Sequence, residues 1–345
     1  MERAFSLVGL VSTSLALACS ANGPSSPVAS SAGSTAAPMQ PNGGGAGGQA
    51  PGGVVGGGVA GTLSIDVPPS AGSDAGPVRE PITLDNLTET EVGGYQRGDA
   101  IDMGGELPTL ADNDGCDVLV GIVRDFNTKD PGRHPDFEIF GGQQVAKGLV
   151  GPELDAERKP VYASQCETAM PDLTLCPTGQ QTTGKASFDQ WYRNTPGVNH
   201  SFLLYFKMEP VGNVVSFQSE NFVPVDGVGF NDMYLALDGQ MHNYGFTTEL
   251  HLQFRYAGGE SFTFKGDDDV WAFINGKLAI DLGGLHESRE DTIVLDDRAA
   301  ELGLVKGNVY PLELFQAERH STGSHFRIDS TLSLVDCGSI PEVPK

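Results

Sequence analysis

A chain of 345 residues with a formal charge of −24, 46 glycines, 22 prolines and only 19% charged residues favours turns and strands over long helices. That charge excludes nucleic acid as a partner, because phosphate binding needs a basic stripe that the sequence lacks. An acidic surface suits cations and neutral partners.

In chain order, residues 1–19 begin Met1-Glu2-Arg3 and continue as an apolar run from Ala4 to Ala18, the pattern of a signal-peptide core and too short to span a bilayer. The run ends Leu15-Ala16-Leu17-Ala18-Cys19-Ser20, which resembles the lipobox of bacterial lipoproteins. It predicts an exported protein with lipid on Cys19, held at the outer membrane or cell surface. An ordinary secretory signal is the alternative. Residues 20–85 are rich in Ala, Ser, Pro and Gly, with ten glycines between Pro41 and Ala60. Such a segment buries too little apolar area to offset chain entropy and is predicted to be a tether. Residues 86–115 form a lead-in whose pattern fixes no structure.

The folded domain is expected over residues 116–338, with 339–345 as a tail. It begins with the β-branched run Val118-Leu119-Val120-Gly121-Ile122-Val123. Residues 127–185 are turn-rich. The spacing of Phe188, Trp191 and Tyr192 predicts one short helix over 187–193, its aromatics in the core. Strands are predicted over 201–208, 214–217, 247–256, 260–265, 270–275, 278–282, 292–295, 309–318 and 325–335, the rhythm of an all-β sandwich or barrel. Asn275-Gly276 between apolar runs is a two-residue hairpin signal, since both residues tolerate the positive φ of a type I′ turn.

Five cysteines leave four once Cys19 is set aside. In an exported protein these should be oxidised. Three pairings are open to four cysteines. The economical one joins Cys116, which opens the domain, to Cys337, which closes it, and Cys166 to nearby Cys176. A Cys₄ zinc site lacks any CxxC spacing, and the scattered histidines form no HxH or HExxH motif.

Asp267-Asp268-Asp269 carries the functional reading. Three adjacent carboxylates repel one another and disfavour a strand, so a hard cation with oxygen ligands, Ca²⁺ above all, would neutralise them. An exposed acidic turn is the plainer alternative. The stretch does not follow the EF-hand pattern.

The block Phe262-x-Phe264-x-Gly266-Asp267-Asp268-Asp269-Val270-Trp271-x-Phe273-Ile274-Asn275-Gly276-Lys277-Leu278, with Asp281-Leu282-Gly283-Gly284-x-His286 after it, resembles the fibro-slime domain, a relative of the PA14 domain. Phe315-x-Ala317-Glu318-Arg319-His320-x-Thr322-Gly323-Ser324-x-Phe326-Arg327 resembles the same family's closing hairpin, and residues 243–251 resemble an upstream block. The resemblance covers about residues 116–337. It implies a PA14-like β-sandwich or barrel of the kind found in extracellular adhesins, slime and matrix proteins and carbohydrate-binding modules. In lectin-like members two consecutive aspartates, joined by a cis peptide, hold Ca²⁺, and a second loop completes the shell. Carried over, Asp267 and Asp268 take the metal pair, Asp269 stands at a Gly position and Asn275 at the turn Asp. The second loop becomes Glu318–Ser324, with Glu318, His320, Ser321 and Thr322 as binding residues. It lacks the Asn that yeast flocculin-type members use there.

The resulting expectation is a non-enzymatic, surface-held binding module with Ca²⁺ and a polysaccharide or surface glycan as partners. Two alternatives stand beside it. One is a glycoside hydrolase pairing Asp268 or Asp269 with Glu318, against which a bound cation would depress the carboxyl pKa values. The other is a structural slime or matrix component without a soluble ligand. His286 and His320 are expected to fix loop shape by hydrogen bonding.

Overall fold

A computed structural model describes residues 84–101, 116–163, 165–166, 173–321 and 323–338. The chain divides into two units, Met1–Gly72 and Ser73–Lys345, and every described residue belongs to the second. The signal peptide, Cys19, nearly all of the tether, residues 102–115 of the lead-in, Thr322 and the tail lie outside the described residues.

The unit is an antiparallel β-sandwich. One sheet runs from Thr88–Glu89 through Gly94–Ala100, Asn199–Lys207, Val118–Phe126, Phe246–Arg255, Val309–Glu318, Asp269–Ile274, Lys277–Leu282 and Val150–Leu154 to Pro160–Tyr162, with Ser333–Asp336 also paired to Phe246–Arg255. The other sheet is ordered Arg289–Val294, Ser261–Gly266, Phe326–Ser330, Val214–Ser219 and Glu209–Val211. Strand alternation explains the packing. Leu250, Leu252, Leu312, Leu314, Val270 and Ala272 turn inward against Phe262, Phe264, Phe326, Ile328 and Phe217 of the second sheet, and all are buried in one core.

The outward-facing set from the same strands, Trp271, Phe273, Phe315 and Ala317, is also buried, with Phe137, Leu149, Phe188 and Trp191 of residues 127–198. That excursion therefore forms a third layer. Beneath it Glu249 is fully buried, paired with Arg124 at 2.7 Å and with Lys159. Burial of the carboxylate opposes ionisation, and the two cations outweigh it, holding Glu249 well below the usual range.

The hairpin at Asn275-Gly276 forms as its residues require: both have positive φ, 54° and 73°, and Ile274 pairs with Lys277. Cys116 bonds Cys337 and Cys166 bonds Cys176, with Cα separations of 5.3 and 5.5 Å. Phe188, Trp191 and Tyr192 are core residues as expected, although the helix that carries them spans only Lys185–Phe188 and continues as turns.

Three features differ from the sequence reading. A second helix, Leu295–Leu302, starts where the strand over 292–295 was expected to end. Asp296 and Asp297 in its first turn complement the helix dipole, and Gly303 closes it in the left-handed region at φ 72°. The strand predicted over 325–335 breaks in two, Phe326–Ser330 in one sheet and Ser333–Asp336 in the other. Gly94–Ala100 is a strand paired to Asn199–Lys207, so the sheet begins upstream of Cys116. Its sequence, Gly-Tyr-Gln-Arg-Gly-Asp-Ala, has no apolar alternation to announce it.

The Cys116–Cys337 bond closes a loop of 221 residues. Chain entropy assigns it about 5 kcal/mol. Replacing both cysteines with serine is therefore expected to lower the urea unfolding free energy by up to that amount, while the Cys166–Cys176 replacement, closing a loop of 10, costs less.

Candidate functional site

Gly266 ends a strand of the second sheet and Asp269 begins one of the first, so Asp267 and Asp268 form a crossover between the two layers. Glu318 ends a strand of the first sheet and Phe326 begins one of the second, so residues 319–325 form another. The crossovers lie side by side. The backbone N–H of Arg319 donates to Asp268 Oδ2 at 2.8 Å, and that of His325 donates to Asp267 Oδ2 at 3.0 Å.

The three aspartates face different surroundings. Asp269 points into the third layer, where Oδ2 accepts from Arg319 Nε at 2.6 Å and Oδ1 accepts from the Gly284 N–H at 2.6 Å. Both oxygens are consumed and both side chains are fully buried. This corrects the expectation that Asp269 shares a cation with its neighbours: Asp269 opens its strand on the outward face with Trp271 and Phe273, whereas Asp268 precedes the strand in the left-handed region. Arg319 also donates to the carbonyls of Asp136 and Gln181, at 3.1 and 3.0 Å, and lies 4.5 Å over the Trp191 ring.

Asp268 turns to the inner side in the left-handed region, φ 51°, a conformation that Asp tolerates better than most residues. Its N–H donates to the His286 carbonyl at 3.2 Å. The only cis peptide among the described residues is Asp130–Pro131, so the Asp267–Asp268 bond is trans. Burial, with the Asp269 charge and against the pull of Arg319, pushes the Asp268 carboxyl up to about 6. Glu318 is fully buried beside it, and burial followed by the charges of Asp268 and Asp267 holds it well above the usual carboxylate range.

Buried acceptors outnumber donors here: Asp267 Oδ1 has no hydrogen-bond partner, and the Glu318 carboxyl has beside it only the Ser324 hydroxyl and the Asp268 carboxyl, none of them in well-formed hydrogen-bond geometry. Gln316, one inward position before Glu318 on the same strand, has both amide atoms unpartnered. Orphaned buried oxygens cost free energy unless something pairs with them. Among the described residues no three His, Cys, Asp or Glu side chains stand together as a preformed ligand set. Two carboxylates with neutral oxygens from Ser324, Gln316 or the main chain fit a hard cation's preference for mixed oxygen ligands. Gln316, Ser324 and Arg319 were not singled out from the sequence. Inward alternation from the expected Glu318 points to Gln316, but nothing local distinguishes it from a core position.

Of the expected loop residues, Ser321 donates its N–H to Glu138 Oε1 at 2.7 Å, which anchors the loop to the third layer, while His320 is exposed. His286 places Nδ1 and Nε2 2.9 Å from the carbonyls of Glu287 and Leu282, a loop-shaping role. His325 Nδ1 lies 2.6 Å from Asp267 Oδ2 and its Nε2 3.2 Å from Glu220. The Asp267 bond raises its pKa against the effect of burial.

Residues 228–345 match the PA14 domain family. Similar proteins in Dictyostelium discoideum include Protein psiR, 37% identical over 227 residues (63% of this chain and 21% of that protein), and Protein psiJ, 37% identical over 227 residues (61% and 30%). Protein psiC is 34% identical over 229 residues (64% and 42%). The similarity thus spans about a fifth to two fifths of the length of these relatives, all of them from a eukaryote.

Two outcomes follow. Arg319→Leu leaves the Asp269 charge buried and unpaired and is expected to cost about 3–5 kcal/mol in chemical denaturation, and adding Asp269→Leu should restore part of it. In EDTA, the raised pKa of Asp268 makes the folded state bind more protons than the unfolded chain. Its stabilising contribution is full below the unfolded value of 3.8 and is lost as pH rises through about 6. Unfolding free energies measured across that window should fall, and fall less in Asp268→Asn.

Proposed function

We propose that the domain is a cell-surface or matrix-associated binding module in which Ca²⁺ at the double crossover organises a site for polysaccharide or another surface glycan. The observation that carries this is the excess of buried carboxyl oxygens over donors at Asp267, Asp268 and Glu318, with the Ser324 hydroxyl beside them, gathered where the two sheets exchange chain. Asp267, Asp268 and Glu318 would hold the ion. The cation would supply fixed positive charge and open coordination positions for vicinal hydroxyls. The 319–325 crossover, through its exposed His320 and half-buried Ser321 and with Thr322, would border the ligand. The PA14 match and the two disulfides support an extracellular setting, with lipid on Cys19 as the proposed anchor. Among the described residues no helix is long and apolar enough to cross a membrane.

The hydrolase reading has one feature in its favour, since a general acid needs a raised pKa and the Asp268–Glu318 pair has one. Full burial of Glu318 weighs against it, because a glycosidic oxygen must approach within hydrogen-bond reach of the acid.

Calcium at 100 times its Kd should stabilise the fold by about 2.7 kcal/mol and raise Tm, with EDTA reversing the rise. Asp267→Asn and Glu318→Gln should abolish the response. Asp269→Asn should lower Tm yet keep the calcium-dependent increment. A glycan array run with and without EDTA then reads the ligand, and binding insensitive to EDTA would contradict the proposed role of the ion.

A further inference from the structure

Another group of polar side chains lies where the hairpin of Tyr234–Leu235 and Met241–His242 meets the loop before it. The hairpin ends in a tight turn over 236–240, in which the Ala236 N–H donates to the Gln240 carbonyl at 2.8 Å and the Gly239 N–H to the Ala236 carbonyl at 3.1 Å. Asp238 Oδ1 accepts the Gln240 N–H at 2.8 Å, so this carboxylate is part of the turn itself. Its Oδ2 lies 3.0 Å from His242 Nε2, while Asp226 Oδ2 lies 2.6 Å from Nδ1. Asp226 is fixed in turn, since its Oδ1 accepts the Asn243 N–H at 2.7 Å. The His242 ring, only 12% exposed, therefore bridges a carboxylate of the loop and a carboxylate of the turn.

Two protonation states satisfy this arrangement in different ways. With protons on both ring nitrogens, Nδ1 donates to Asp226 and Nε2 to Asp238, and the Asn221 amide, 3.4 Å from Asp238 Oδ2, donates to the same oxygen. With Nε2 deprotonated, its lone pair faces that oxygen, and two acceptors 3.0 Å apart repel. Asn221 then offers the ring another partner, because its amide nitrogen is 3.2 Å from Nε2 and can donate there. Asp238 Oδ2 in that state loses both of its donors. Besides Asp226, Asp238 and Asn221, the Tyr244 ring stands edge-on at 6.3 Å, and Arg97 lies behind Asp226, donating to its carbonyl at 3.3 Å. Burial works against the charged ring, and the bonds to Asp226 and Asp238 outweigh it, raising the His242 pKa above its ordinary value of 6.5. Burial pushes Tyr244 up to about 12, so it stays neutral, and the Gln240 N–H lowers Asp238, so it stays charged.

We propose that His242 and Asn221 form a proton-operated latch on the hairpin turn. While the imidazole is charged it holds Asp238. When the Nε2 proton passes to solvent, the ring accepts the Asn221 amide, and Asp238 departs with the turn over 236–240. Imidazole suits this task because its charge changes near neutrality. A group whose folded pKa is raised stabilises fully below its unfolded value, and the stabilisation is lost as pH rises through the folded one. The latch is therefore fully closed below 6.5 and opens as pH rises through the raised value of His242. Leu235, Leu237 and Met241, which are 64, 90 and 50% exposed, ride on this hairpin. Its apolar tip thus has one fixed shape on the acid side and loses it on the alkaline side, independently of Asp267, Asp268 and Glu318.

The test is a pH titration of the full chain that reads the His242 ring by proton–nitrogen correlation, its signal identified by loss in His242→Gln. The amides of 236–243 are followed in parallel by hydrogen exchange corrected for intrinsic rates. The expected result is a His242 midpoint above 6.5, with protection of those amides falling by up to about tenfold per pH unit through it. Asp238→Asn should bring the midpoint back toward 6.5 and remove the pH dependence of protection. Asn221→Ala, a change at an exposed position that deletes the neutral ring's donor, should raise the midpoint. A midpoint at or below 6.5, protection that stays level through the midpoint, or a lower midpoint in Asn221→Ala overturns the proposal. The midpoint should be the same in calcium and in EDTA, and one that follows calcium would place the titration at the crossover and overturn the proposal too.

Discussion

The fully buried pair of Arg319 with Asp269 is the constraint around which the rest of the domain is arranged. Its side-chain bonds reach the carbonyls of Asp136 and Gln181 and the face of Trp191, so one guanidinium joins the sandwich to its third layer. The same residue's backbone N–H aims Asp268. A charge pair taken out of water is stabilising only when its remaining donors and acceptors are met, and here Gly284 and two carbonyls meet most of them. The pair thus sets the separation of the crossovers on which the candidate site stands.

That arrangement gives three consecutive aspartates three functions. Asp269 neutralises Arg319 on the outer face of the sheet. Asp268 and Glu318 face each other across the inner side, where burial raises both pKa values. Asp267 gives one oxygen to His325 and leaves the other unpartnered. The proposed cation would relieve both the shared repulsion and the shortage of donors at this corner.

Much of the fold was legible because its signals are local. Apolar alternation located most strands of the sandwich, Asn275-Gly276 located the hairpin, and the economical cysteine pairing, Cys116 to Cys337 at the domain's ends and Cys166 to its near neighbour Cys176, is the one that forms. The strand Gly94–Ala100 was not legible, since its pairing with Asn199–Lys207 is a tertiary choice that its own polar sequence does not encode. The helix Leu295–Leu302 carried its acidic first turn and closing Gly303 openly, but the preceding strand pattern obscured its start. The two segments singled out from the sequence, 267–269 and 318–324, lie side by side in the fold, but Asp269 turns away from Asp268 to Arg319. Periodicity puts Asp269 on one face with Trp271 and Phe273, yet the burial of Arg319 at position 319 was needed to show that this face held a partner. Gln316 and Ser324 stayed hidden because an inward polar residue is recognisable only once its neighbours are known. The cluster at Asn221, Asp238 and His242 was invisible for a similar reason, its members being joined only by the folding of the hairpin.

The central claim is that a cation sits between the crossovers. A crystal grown in calcium and measured for anomalous scattering tests it directly. An ion held there gives a peak contacting Asp267 Oδ1 and Glu318, with the carboxylates drawn toward it. A map without that peak, in which Glu318 instead forms a proton-sharing hydrogen bond to Asp268 at saturating calcium, would contradict it.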